Sequence, residues 1–182
     1  MITFFGESNE ATLLTTIFAS IGLLISCNQG AEPINNGELT LPAKEMQVIH
    51  YPEAPDTWIP YAPAIAVTGG TTVYLAGVTA APTYHEHPHV AEEFDTIPTD
   101  MESQARLAME NVRRGLDAAG ASFSDVVFST RYLTDTTEQA DFFKVWQEYF
   151  GEHTPATTTV QVVRLATDPR LLLEINIIAV KD

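Results

Sequence analysis

Three histidines stand two apart, His85, His87 and His89, in the segment YHEHPHVAEEFD at 84–95. In an extended chain alternate side chains share one side, and three imidazoles on one side are a ligand set for zinc or copper. Histidines two apart around a proline equally suit a solvated or interface-packed loop. That reading is adopted, so no metal and no cofactor are expected. A second stretch, PATTTVQV at 155–162, alternates as a strand that could line a site. It offers only methyls and hydroxyls, from Thr157, Thr158 and Thr159. Those hydroxyls can hydrogen-bond a neutral polar ligand, although threonine also simply favours strands. The lone cysteine, Cys27, follows an uncharged run, ATLLTTIFASIGLLIS at 11–26. One cysteine makes no internal disulfide and no cysteine zinc site. The run is too short and too rich in Thr and Ser for a membrane span, but it suits the apolar part of a secretory signal.

The run ends in Leu24-Ile25-Ser26-Cys27, which resembles the lipobox of bacterial lipoproteins. That resemblance implies cleavage before Cys27 and lipidation of Cys27. The opening MITFFGESNE departs from the pattern: it has no Lys or Arg and carries Glu7 and Glu10. The expected organisation is a lipoprotein-type signal peptide at 1–26, a flexible tether at 27–45 and one domain at 46–182. The protein is then exported and anchored by lipid to a bacterial membrane, facing the periplasm or exterior. The alternative is a cytoplasmic protein with an apolar tail and a chance cysteine.

Formal net charge is −15, with nine Lys and Arg against 24 Asp and Glu. A nucleic-acid binder needs a basic stripe to displace counterions. None is visible, so nucleic acid is not an expected partner. Hydrophobic content of 45% with 18% charged residues describes a folded chain.

The elements that must position these residues follow from periodicity. NQGAEPINNGELTLPAK at 28–44 has the composition of a tether. MQVIHY at 46–51 is a short alternating run. AIAVTGGTTVYLAGVTA at 64–80 reads as two strands in a hairpin turned at Gly69-Gly70. An irregular segment spans Pro82 to Pro98. A helix follows, with Thr99 and Glu102 as a capping box. Its apolar stripe is Met101, Ala105, Ala108, Val112 and Leu116, and Gly120 ends it. VVFSTRYL at 126–133 is a strand. A second helix begins at Asp135, with Glu138 three places on, and stops at Gly151. TTTVQVVRL at 157–165 and LLLEINIIAV at 171–180 close the chain as strands that look like a hairpin. The order β-β-β-α-β-α-β-β predicts a mixed sheet with both helices on one face. The last strand is apolar on both sides, with Leu173, Ile175, Ile177 and Ala179 on one and Leu172, Ile178 and Val180 on the other. Such a strand needs cover on both faces, and packing against further copies of the chain would supply it.

YLAGVTA (74–80), QARLAMENVRRGLDAAGASFSDVV (104–127) and the C-terminal LEINIIAV together resemble the RidA (YjgF) family across residues 46–182. The resemblance implies a chorismate-mutase-like α+β fold. It also implies a homotrimer whose sheets form a central barrel, with three clefts at subunit boundaries, and hydrolysis of reactive enamines and imines. The family signature near the C-terminus places an arginine that clamps a substrate carboxylate, a task suited to a guanidinium fork. The matching position here is Thr157. Neither Arg131, Arg164 nor Arg170 stands at that spacing, so the clamp is expected to be absent. The position commonly asparagine in the second helix matches Phe143.

The resemblance carries over other site residues one by one. Glu174 matches the glutamate that positions the attacking water, a general-base role. Its other reading is a plain acid on an edge or inter-subunit strand, with Asn176 on the same face. Tyr61, after Pro60, matches the tyrosine that would cap the cleft, and equally suits a packed aromatic after a turn. Gly77 matches the strand-end glycine. Thr157 and Thr159 inherit ligand-facing positions. The expected function is hydrolytic deamination of a reactive enamine or imine other than the usual 2-imino acids. The alternative is a non-catalytic trimer that binds a neutral or cationic metabolite in the same cleft. A holdase role would need exposed apolar surface. Expected partners are a small molecule, further copies of the chain and, through the lipid anchor alone, a membrane.

Overall fold

The computed structural model describes residues 42–52 and 59–182. The element order is β1 (Glu45–Ile49), β2 (Ala64–Thr68), β3 (Thr71–Val78), α1 (Met101–Ala118), β4 (Val126–Leu133), α2 (Gln139–Phe150), β5 (Ala156–Gln161) and β6 (Leu173–Lys181). Cys27 and the expected signal segment lie outside the described residues. Among the described residues no helix is long and apolar enough to cross a membrane.

Each helix forms where the sequence supplies an apolar stripe and a cap. The expected stripe of α1 is buried in full, from Met101 to Leu116. Its cap differs from expectation. Asp100, not Thr99, is the N-cap, and its carboxylate accepts from the backbone N–H of Ser103 at 2.8 Å. An anionic cap also meets the positive end of the helix dipole. The helix ends at Gly120, whose φ of +68° admits the left-handed turn. Asp135 caps a short 3-10 turn by accepting from Thr137 N–H, and that turn runs on into α2.

Both helices cover one face of a four-stranded mixed sheet of order β3-β6-β4-β5. Leu173, Ile175 and Ile177 of β6 meet the helices with Val112, Leu116, Phe142 and Trp146 in one core. Each such side chain, fully buried, contributes about 1.5–3 kcal/mol. The topology corrects two expected hairpins. β5 and β6 do not pair: β6 inserts between β3 and β4, and β5 runs parallel to β4 as an edge. The α2 crossover makes β5 parallel, and β6, the most apolar strand on its helix-facing side, gains most from the central place. The strands around Gly69-Gly70 also do not pair. β2 pairs antiparallel with β1 in a two-stranded sheet, while β3 joins β6.

The other sheet face carries no helix. Tyr74, Phe128 and Val160 are exposed there, beside the half-buried Ile178. A second, smaller core lies under the irregular segment, where a 3-10 turn (Ala91–Phe94) buries Phe94 against Leu165 and Leu171.

Candidate functional site

The register of β6 decides where the acid goes. Tyr132 of β4 is opposite Glu174, and Thr130 is opposite Asn176. Alternation therefore puts Glu174 and Asn176 on the helix-free face. β3 is irregular between Leu75 and Val78, and this brings Gly77 against Glu174. A Cβ on Gly77 would lie 2.0 Å from Glu174 Oε1. Glycine leaves room here for a carboxylate that rests on bare backbone. Glu174 is half-buried and joins none of the ion pairs among the described residues. From Gly77 the chain runs along a groove of about 770 Å³ that also includes Thr79, His85, Asn111 and Arg114. Asn111 fixes its wall, its amide donating to the carbonyls of Thr79 and Ala81 at 3.0 Å each.

A second corner forms at the start of β5. Thr157 is opposite Ser129 and Thr159 is opposite Arg131, so all four share the helix-covered face. Arg131 Nη2 donates to Thr157 Oγ1 at 2.9 Å. The guanidinium rests on the Trp146 ring, 4.9 Å from its centroid, with Phe142 at 5.6 Å. It forms none of the ion pairs among the described residues. Its Nε and the neighbouring Ser129 Oγ are buried without a hydrogen-bond partner. Burial pushes the Arg131 guanidinium down to about 10, so it is still charged at neutral pH. The backbone N–H of Ala62 donates to the Pro155 carbonyl at 3.2 Å, which holds Pro60 and Tyr61 beside β5. Tyr61 is exposed. Pro60, Phe143, Trp146 and Thr154 line a groove of about 240 Å³.

The sequence pointed to an absent guanidinium at Thr157. The structure supplies one to that hydroxyl from the adjacent strand. The signal was the parity of β4: Ser129, Arg131 and Leu133 fall on the covered face, where a lone arginine is unusual. The other two arginines are otherwise placed. Arg170 is bound by Asp168 and Asp95, and Arg164 is exposed.

One chain does not bring the two corners together. Glu174 and Thr157 occupy opposite faces, separated by β4 and by three residues of register. Their Cα atoms are roughly 14 Å apart on ordinary strand spacing and rise. The three histidines, by contrast, converge. Their candidate ligand atoms all lie within 4.8 Å of one another.

The model of the family described as Endoribonuclease L-PSP matches residues 51–181. A RutC family protein of Pyrococcus abyssi is 36% identical over 136 residues, covering 75% of this chain and 98% of that protein. A protein of Escherichia coli K12, provisionally named reactive intermediate deaminase TdcF, is 38% identical over 96 residues, covering 51% of this chain and 73% of its own. Among solved structures, a member of the YjgF/YER057c/UK114 family from Mycobacterium tuberculosis has a TM-score of 0.50 at 26% identity, covering 75% of this chain and 99% of that one. YjgF of Escherichia coli has a TM-score of 0.51 at 28% identity, covering 62% and 83%.

Proposed function

The chain belongs to the RidA (YjgF) family, and on that premise we propose that it hydrolyses a small reactive imine or enamine in clefts completed by a second copy of itself. The observation that carries this reading is the charged Arg131 at Thr157, buried with no acidic partner among the described residues. A buried cation without a counter-ion is costly, and a substrate anion at Thr157 offsets that cost. The substrate class is therefore imines bearing a carboxylate. This replaces the expectation of a substrate other than the usual 2-imino acids, and the neutral or cationic ligand of the non-catalytic alternative, both of which rested on the missing arginine.

Glu174 holds the water. Its carboxylate accepts a proton as the water oxygen bonds to the imine carbon and the nitrogen is protonated to an amine. Glu174 then returns its proton to that amine, the C–N bond breaks with loss of ammonia, and the hydroxyl gives up its proton to become the carbonyl. Imines hydrolyse readily, so a positioned water supplies most of the needed help. Because Glu174 and Thr157 are on opposite faces of one sheet, the water-holding corner of one chain must meet the Thr157 corner of another. In a homotrimer, the β5 edge of one chain laid against the Glu174 corner of the next meets that need, and helix-free faces turned inward cover Tyr74, Phe128 and Val160.

The chain is also read as an exported lipoprotein, with Cys27 as the lipidated residue. The support is the order of apolar run, small residue and cysteine.

The experiment is complementation. 2-Iminobutanoate is generated in situ by a threonine dehydratase and its decay to the keto acid is followed. Glu174→Gln and Arg131→Met are each expected to lose about thirtyfold or more in kcat/KM, and their co-refolded mixture to regain activity. A mixture that stays inactive overturns the shared cleft. A fully active Glu174→Gln overturns the mechanism.

A further inference from the structure

The segment 85–89 alternates in sequence, but it is not a strand in the structure. In an extended chain the first and third imidazoles would be about 13 Å apart, too far to share one ion. Here the loop curls, and the ring centroids of His85, His87 and His89 stand 4.9, 5.0 and 4.6 Å from one another. The sequence alone favoured a loop without a metal because it could not foresee that curl.

Three contacts hold the arrangement. Phe94, fully buried in the smaller core, sets its ring edge-on to His85 at 5.4 Å and to His89 at 5.8 Å. The backbone N–H of Glu86 donates to the Glu93 carboxylate at 2.9 Å, tying the loop to the 3-10 turn. His85 Nδ1 lies 2.9 Å from the Pro82 carbonyl. Beside a carbonyl that nitrogen can only donate, so Nε2 keeps its lone pair for another partner. A backbone carbonyl orienting one ring nitrogen while the other faces a metal is a recurrent second-sphere arrangement.

We propose that His85, His87 and His89 bind one divalent late transition ion, zinc or copper, at the mouth of the groove that begins at Gly77. A tetrahedral zinc with nitrogen bonds of about 2.0–2.1 Å spaces its ligands roughly 3.4 Å apart. The three candidate atoms, within 4.8 Å of each other, reach that spacing by small side-chain rotations. His87 and His89 are exposed and free to make them. Imidazole nitrogen selects zinc and copper over magnesium or calcium. Three ligands leave at least one coordination position for water or for a molecule in the groove, which His85 also lines. The site stands independently of the deaminase reading.

The test uses the untagged, metal-free full chain. Zinc titrated calorimetrically should bind one ion per chain. His85→Ala, His87→Ala and His89→Ala should each weaken binding at least about tenfold, and the triple variant should abolish it. His153→Ala, remote from the loop in sequence, should change nothing. Cobalt(II) added to the unmutated protein should give the intense visible bands of a tetrahedral nitrogen site, a readout that needs no variant to fold. The proposal is overturned if the unmutated chain binds no zinc and leaves cobalt octahedral. It is equally overturned if the triple variant, folded by circular dichroism, binds zinc as tightly as wild type.

Discussion

The Arg131 guanidinium donates to the Thr157 hydroxyl at 2.9 Å across two parallel strands. On the proposed reading, this charge from the neighbouring strand takes the place of the arginine that the family resemblance implies at Thr157. The tryptophan beneath the guanidinium lends the cation a π face.

Replacing Arg131 with methionine should separate function from stability. Losing one charge-assisted hydrogen bond to a carboxylate, about 2 kcal/mol, lowers kcat/KM roughly thirtyfold. Removing a buried cation that lacks a counter-ion should leave Tm unchanged or higher. Steady-state kinetics and thermal melts on one preparation check both. A fall in Tm with unchanged kcat/KM would make Arg131 a purely structural residue.

Gly77→Ala should show the converse economy. The new Cβ meets the far end of the Glu174 side chain rather than backbone, so the carboxylate can swing aside at little cost to folding. Displacing the water-holder by an ångström lowers kcat by about 10²-fold. Unchanged kcat would remove Glu174 from the mechanism.

Gln104 is buried on α1 and serves three backbone groups. It donates to the Pro98 and Arg170 carbonyls at 2.7 and 2.8 Å, and it accepts from Leu172 N–H at 2.8 Å. Gln104→Leu leaves all three unpaired and should destabilise the fold by about 3 kcal/mol, measured by urea unfolding. A change below about 0.5 kcal/mol would mean that water satisfies these groups.

Acid should weaken the loop before β6. The Arg170 guanidinium holds the Asp168 carboxyl below its ordinary value. A carboxylate lowered in the folded state contributes stability that is fully present above its unfolded pKa of about 3.9. That contribution is lost as pH falls through the lower folded value. The stability gap between wild type and Asp168→Asn should be constant from pH 7 to about 5 and close below about pH 4. A gap that persists at pH 2 would assign it to packing.

If Cys27 is lipidated, the full chain expressed in a bacterium should sediment with membranes and incorporate labelled fatty acid. Cys27→Ser should do neither. Label retained by the serine variant would sink the assignment.

The sequence by itself determined the elements. The stripe of α1, the two-faced strand LEINIIAV and the order of helices and strands all follow from local periodicity and capping, which are short-range physics. It also carried the family, because the signature segments are contiguous. What it could not determine were relations between distant residues. β6 inserts at the sheet centre because that place pairs both of its edges and sets Leu173, Ile175 and Ile177 under the helices, a global comparison that no window of sequence contains. Register then puts Arg131 beside Thr157 and sends Glu174 to the opposite face. The histidines show the same limit at short range: their spacing suggested one side of an extended chain, and only the curl of the loop over Phe94 brought the three rings together. Strand order, register and loop curvature are set by which burial wins across the whole domain, so they belong to the tertiary structure.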